Sequence, residues 1–75
     1  MIEHKVPGVV KVIELVGSSP NSWSDAAKVA VQRASKTLKN IVGVDVLHST
    51  AVVEGGEITE YRVNLKVAFV VEDET

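Results

Sequence analysis

From Ile58 to Val71 the chain alternates: Tyr61, Val63, Leu65, Val67, Phe69 and Val71 take one parity, and Arg62, Asn64, Lys66, Ala68 and Val70 take the other. Successive strand side chains point to opposite faces, so this run predicts one long β-strand with a helix-facing side and a second, separate side. At about 3.3 Å per residue it extends roughly 45 Å, far beyond what the short helix of a chain this size covers. Part of the strand is therefore expected to serve a neighbour, because a long β-branched edge left free invites pairing with other chains.

The segments before it complete a small α+β unit. Val9-Val10-Lys11-Val12-Ile13-Glu14-Leu15-Val16 is short and β-branched, bounded by Pro7-Gly8 and by Gly17-Ser18-Ser19-Pro20-Asn21-Ser22, and reads as a strand. Val10, Val12, Glu14 and Val16 fall on one face and Lys11, Ile13 and Leu15 on the other, so both faces are expected to meet protein. From Trp23 the period changes to steps of three and four through Ala26, Ala27, Ala30, Ala34, Leu38 and Ile41, with Asp25, Lys28, Gln32, Arg33, Lys36 and Lys39 on the other arc. That is an amphipathic helix, and its alanine stripe lets the backbone lie close to a sheet. Its start is either Ser19 with Pro20 at the first helical position, or Ser22 with Asp25 three residues on. Asp25 near the positive end of the dipole, and Lys36 and Lys39 near the negative end, agree with this direction. Val42 to Val53 reads as another strand, and Glu54-Gly55-Gly56-Glu57 places two glycines where a tight hairpin needs positive φ. The expected fold is β-α-β-β, a three-stranded antiparallel sheet wrapped around one helix.

Seventy-five residues, 45% hydrophobic and 24% charged, make one domain over residues 1–75, with 1–8 as an N-terminal arm and 72–75 as an acidic tail. A chain this short buries only about 60% of its unfolded surface and gains about 3 to 5 kcal/mol from its core. There is no cysteine, so no disulfide or cysteine-based zinc site staples it; oligomerisation is the remaining remedy. The net charge is −2 and the eight Lys and Arg are scattered, which argues against nucleic acid. No stretch approaches the roughly 18 apolar residues of a membrane span, and the first residues lack the pattern of a secretory signal. A cytoplasmic protein without a membrane partner is expected.

Catalytic signatures do not emerge. His4 and His48 have no second histidine at a metal-pair spacing, and His48 reads as a strand-surface or interface residue. There is no Gly-x-Ser-x-Gly, and Gly55-Gly56, flanked by acids, is a turn rather than a phosphate loop. Trp23, the sole tryptophan, shares the helical stripe with Ala26 and Ala30 and is assigned to the core. Asp45, Glu54, Glu57 and Glu60 lie along and beside the hairpin, and Glu72, Asp73 and Glu74 end the chain. Carboxylates of this kind suit Ca²⁺ or Mg²⁺, although none matches an EF-hand; a solvated rim is the plainer reading, and symmetry can multiply one carboxylate into a ring of ligands.

Val10-Lys11-Val12-Ile13-Glu14-Leu15-Val16-Gly17-Ser18-Ser19-Pro20, Ala30-Val31-Gln32-Arg33-Ala34-Ser35-Lys36-Thr37-Leu38 and Glu60-Tyr61-Arg62-Val63-Asn64-Leu65-Lys66-Val67-Ala68-Phe69 together resemble the dodecin family. The resemblance runs through nearly the whole chain after residue 8. It implies a hollow assembly of twelve identical subunits and, in many members, sequestration of flavin (FMN or riboflavin). The family's flavin ring stacks on a tryptophan opening the second strand and bonds a glutamine on the third. Those positions fall on Gly43 and Arg62, and a basic position later in the second strand falls on Thr50. The implied pocket is therefore Gly43, Val44, Asp45, Thr50 and Arg62, with its key residues replaced. The helix start Ser18-Ser19-Pro20-Asn21-Ser22-Trp23 and the strand Tyr61-Arg62-Val63 are more similar to calcium dodecins, which lack the tryptophan and are associated with Ca²⁺. The candidate metal residues are Asp45, Glu54, Glu57 and Glu60. The leading expectation is a non-enzymatic homododecamer subunit that binds or stores a small ligand or cation; the alternative is a flavin-binding dodecin with a modified pocket.

Overall fold

The computed structural model describes residues 8–71. The N-terminal arm except Gly8, His4, and the tail acids Glu72, Asp73 and Glu74 lie outside the described residues. Strand β1 spans Val9–Ser19, helix α1 Trp23–Ala34, strand β2 Ile41–Glu54 and strand β3 Glu57–Val71. The sheet order is β1-β3-β2, with β3 antiparallel to both neighbours. The β-α-β-β unit expected from the sequence is present.

The long alternating strand is not an edge. Antiparallel pairing with β1 runs from Val9 opposite Val71 to Ser19 opposite Tyr61, and β2 follows from the other side as the hairpin partner. Both backbone edges of β3 are thus occupied along most of its length, and the free edges belong to β1 and β2. The hairpin closes on Gly55 and Gly56 at φ +59° and +81°, the positive angles that a two-residue turn requires.

Ser22 wins the competition to start α1. Its hydroxyl accepts from the Asp25 backbone N–H at 3.0 Å, satisfying a donor the first turn leaves free. Ser19 does a different job: buried at the end of β1, its hydroxyl donates to Asp25 Oδ2 at 2.7 Å and accepts from the Asn21 N–H at 2.9 Å. That hydrogen bond, followed by the one from Asn21, holds the Asp25 carboxyl below its ordinary value of 3.8.

The helix ends earlier than the apolar spacing suggests. Ser35 caps it, the Leu38 N–H still bonds the Ala34 carbonyl at 2.8 Å, and Asn40 at φ +64° turns the chain into β2. Leu38 and Ile41 therefore leave the helical stripe, and Ile41 opens the next strand. Asparagine accepts the left-handed conformation that a β-branched residue resists. Lys36 and Lys39 lie past the cap, and Arg33 is the base of the last turn.

Ala26 and Ala30 pack on Val63, Leu65 and Val67, with Ile13, Leu15, Ala27 and Ile41 partly buried around them. Gly17 is what lets the helix come so close. A Cβ there would collide with the Ala26 carbonyl oxygen and stand 2.9 Å from the Ala30 Cβ. The helix rests on β1 and β3 and scarcely reaches β2. Twelve helical residues cover about 18 Å, whereas the fifteen of β3 span about 50 Å, so much of the sheet extends past its own helix.

Candidate functional site

Residues directly opposite each other in an antiparallel pair share a face, so the register sorts every candidate side chain. Gly43 opposes Ala68, Asp45 opposes Lys66, His48 opposes Asn64 and Thr50 opposes Arg62, all on the face turned away from α1. Strict alternation would send Asp45 and Thr50 to opposite faces, since they are separated by an odd number of residues. A register shift between Val46 and His48 inserts Leu47 as an extra residue and restores Gly43, Asp45 and Thr50 to one surface. Val44 differs: it opposes Val67 on the helix side, yet remains exposed because α1 does not reach it.

Across the three strands this outer face is built in rows. Ser18, Arg62 and Thr50 form one, Val16, Asn64 and His48 the next, then Glu14, Lys66 and Asp45, then Val12, Ala68 and Gly43. The β1 side exposes Val12 and Val16 with Glu14 between them, and the β2 side is mostly polar. At Gly43 an added Cβ would meet nothing within 4 Å, so the surface there is open. Arg62 is engaged along its own strand, its Nε donating to Glu60 Oε2 at 2.7 Å. Both partners are substantially exposed, so the pair contributes at most about 1 kcal/mol and acts mainly to orient the guanidinium.

The candidate carboxylates are dispersed within one chain. Asp45 stands opposite Lys66, six residues along β3 from Glu60, or roughly 20 Å. Glu54 and Glu57 close the hairpin, farther still from Asp45. Among the described residues no group of three or more His, Asp or Glu lies together to hold a metal ion. A cation that takes six to eight oxygens needs donors from more than one copy if these residues are to bind it.

Trp23 departs from its core assignment. Its ring meets Tyr61 edge-on with centroids 4.9 Å apart, and its Nε1–H donates to the Thr50 carbonyl at 2.8 Å, but 41% of the residue stays exposed. It stands on the first residue of α1, where the sheet continues beyond the helix and the described residues leave the indole partly open. The contact with Thr50, 27 residues away in sequence, ties the helix start to the strand carrying the candidate pocket. No sequence spacing signals it, because it depends on how far the hairpin reaches under the helix.

A three-stranded sheet that holds one helix on one face, with the other face open among the described residues, presents a strand array rather than a cleft. The chain belongs to the dodecin family, whose model matches residues 9–72. A calcium dodecin from Mycobacterium tuberculosis is 39% identical over 61 residues, covering 81% of this chain and 86% of the relative. Its solved structure, described as a calcium-chelating antigen with a novel calcium-binding site, is 38% identical, has a TM-score of 0.76 and is covered over 96% of its length by 89% of this chain. The dodecin from Streptomyces coelicolor is 33% identical, with a TM-score of 0.86 and coverage of 89% and 96%. Identity leans toward the calcium protein and backbone geometry toward the other. For side-chain chemistry the identity is the more relevant measure, because ligands are held by residues and the fold is common to both.

Proposed function

We propose that this chain is the repeating subunit of a hollow homododecamer that binds or stores a small ligand or cation in the cytoplasm, of the calcium-dodecin type, without catalysis. Gly43 carries this reading. By the resemblance it falls where the family's flavin-stacking tryptophan is expected, on an open face where no described residue comes within 4 Å of an added Cβ. Arg62, at the position of the ring-bonding glutamine, is already oriented by Glu60. What the same face offers a ligand is oxygen: Asp45 and Thr50 on β2, and Glu60 on β3. A calcium site assembled from these residues draws on several copies, so binding depends on assembly.

Light scattering on metal-free protein tests the assembly first: twelve copies of an 8.0 kDa chain give about 96 kDa, and a stable 8.0 kDa species sinks the proposal. Calorimetric titration of the assembled protein with Ca²⁺ then tests the ligand. Binding that is lost in Asp45→Asn supports the cation reading. The free space above Gly43 is the one observation favouring flavin, since it leaves room for a planar ring. Quenching of riboflavin fluorescence by the native protein at micromolar concentration would replace the calcium reading with that one. Absence of quenching in the native protein, with quenching gained in Gly43→Trp, would show that the missing ring is what turned flavin away.

A further inference from the structure

Strand β1 ends too early to line the whole of β3. Its last residue, Ser19, stands opposite Tyr61, so no β1 residue opposes Glu60 or Thr59, and the chain turns away through Pro20 toward α1. The gap left there is a small cavity of about 180 Å³ lined by Ser18, Ser19, Pro20, Thr59 and Glu60. Apart from Glu60, no lining residue carries a charge.

What the lining offers a ligand is set by where its hydrogens already go. The Ser19 hydroxyl donates to Asp25 Oδ2 at 2.7 Å, and the Thr59 hydroxyl donates to the Val52 carbonyl at 3.4 Å. Each spends its one hydrogen within the chain and keeps lone pairs, of which Ser19 gives one to the Asn21 N–H. Pro20 has no N–H to give, and an ionised Glu60 only accepts. The lining is therefore rich in acceptors and poor in donors. That disfavours an anion and suits a hard cation, which takes oxygen ligands.

Glu60 is also the residue of this lining that a cation of the chain's own already holds. Arg62 Nε donates to Glu60 Oε2 at 2.7 Å, the one ion pair among the described residues. Both side chains are substantially exposed, so the pair is weak enough to be exchanged for another cation.

We infer that the cavity at the end of β1 is a Ca²⁺ site, with Glu60 as its charged ligand, hydroxyl oxygens such as that of Thr59 beside it, and Arg62 as the competing cation that holds Glu60 when Ca²⁺ is absent. This rests on the cation reading above and deepens it by giving a single copy part of a coordination shell, with water or a neighbouring copy supplying the rest. One carboxylate places the affinity at the weak end of calcium sites, about 10⁻⁴ to 10⁻³ M.

Calorimetric titration of the full chain with calcium chloride tests this, on variants that keep native circular dichroism. Thr59→Val keeps the β-branched shape and removes the hydroxyl oxygen, so affinity should fall at least about threefold. Arg62→Gln removes the competitor and should tighten binding about fivefold, the most that an exposed pair is worth. Lys11→Gln removes an equal charge at the far end of β1 and should change affinity less than about twofold. Unchanged affinity in Thr59→Val overturns the inference, as does an Arg62→Gln protein that binds no tighter than Lys11→Gln. Binding lost in Asp45→Asn but native in Thr59→Val leaves the earlier cation reading intact and overturns this one. Binding by Arg62→Gln but not by the native chain does the reverse, and binding by neither overturns both.

Discussion

Val63 and Val67 on β3 are buried beneath α1, whereas Val10, Val12 and Val16 on β1 are at least half exposed, although all five are valines in strands of the same sheet. The difference is not propensity but cover. One helix of twelve residues seals the inner face of β1 and β3 over about a third of the length of β3, and among the described residues nothing seals the outer face or the β2 edge. The sealed region carries the fold. The open region leaves its valines and polar side chains exposed.

Substitutions that separate the two regions test this division, and the largest effect belongs under the helix. Val67→Asp places a carboxylate with no partner in a fully buried position, at a cost of about 4 kcal/mol or more, comparable to the whole core contribution of a chain this small. Circular dichroism should show no folded protein, and a native melting curve would mean that the sheet faces are reversed. Gly17→Ala is next. Its Cβ meets the backbone of Ala26 rather than a yielding side chain, so the helix has to lift, with an expected loss of about 2 to 3 kcal/mol by denaturant titration. Gly43, on the open face, supplies the contrast: alanine there should change stability by less than about 1 kcal/mol. An equal loss at both glycines would erase the distinction between sealed and open regions.

Smaller effects probe the helix start, which anchors the sealed region. Ser22→Ala removes the cap and should cost about 1 kcal/mol, while the wavelength of Trp23 emission reports whether the helix start stays on Tyr61. Asp25 has the finest signal. Its pKa is lowered in the folded state, so its contribution is present above the ordinary value of 3.8 and is lost as pH falls through the lowered one. Melting temperature followed downward from pH 5 should therefore decline, and Asp25→Asn should flatten part of that slope. An unchanged slope would mean that the bonds from Ser19 and Asn21 do not hold the carboxylate.

Much of the fold was legible because it is written in local periods. The alternation through β3 named Val63, Leu65 and Val67 as core, the two glycines named the turn, and Ser22 with Asp25 was one of two starts offered for the helix. The helix end was not legible from its apolar stripe, because Leu38 and Ile41 keep the spacing after the chain has turned at Asn40. An asparagine immediately before a β-branched run was the available signal. The candidate site was legible only as a set of residue types. That Gly43, Asp45 and Thr50 share a face depends on the bulge at Leu47, which shifts the register against β3 and leaves no mark in hydrophobicity.

By itself the amino-acid order determined the elements and the buried face of β3, since each follows from the identity of residues and their immediate spacing. Only the tertiary structure decided that the long strand lies in the middle of the sheet, that Trp23 crosses to Thr50, and that no three acids or histidines among the described residues gather at one point. Those outcomes depend on which strands pair and how far a short helix reaches over a long hairpin. They are contacts between distant segments, settled by burial and backbone pairing rather than by any local pattern.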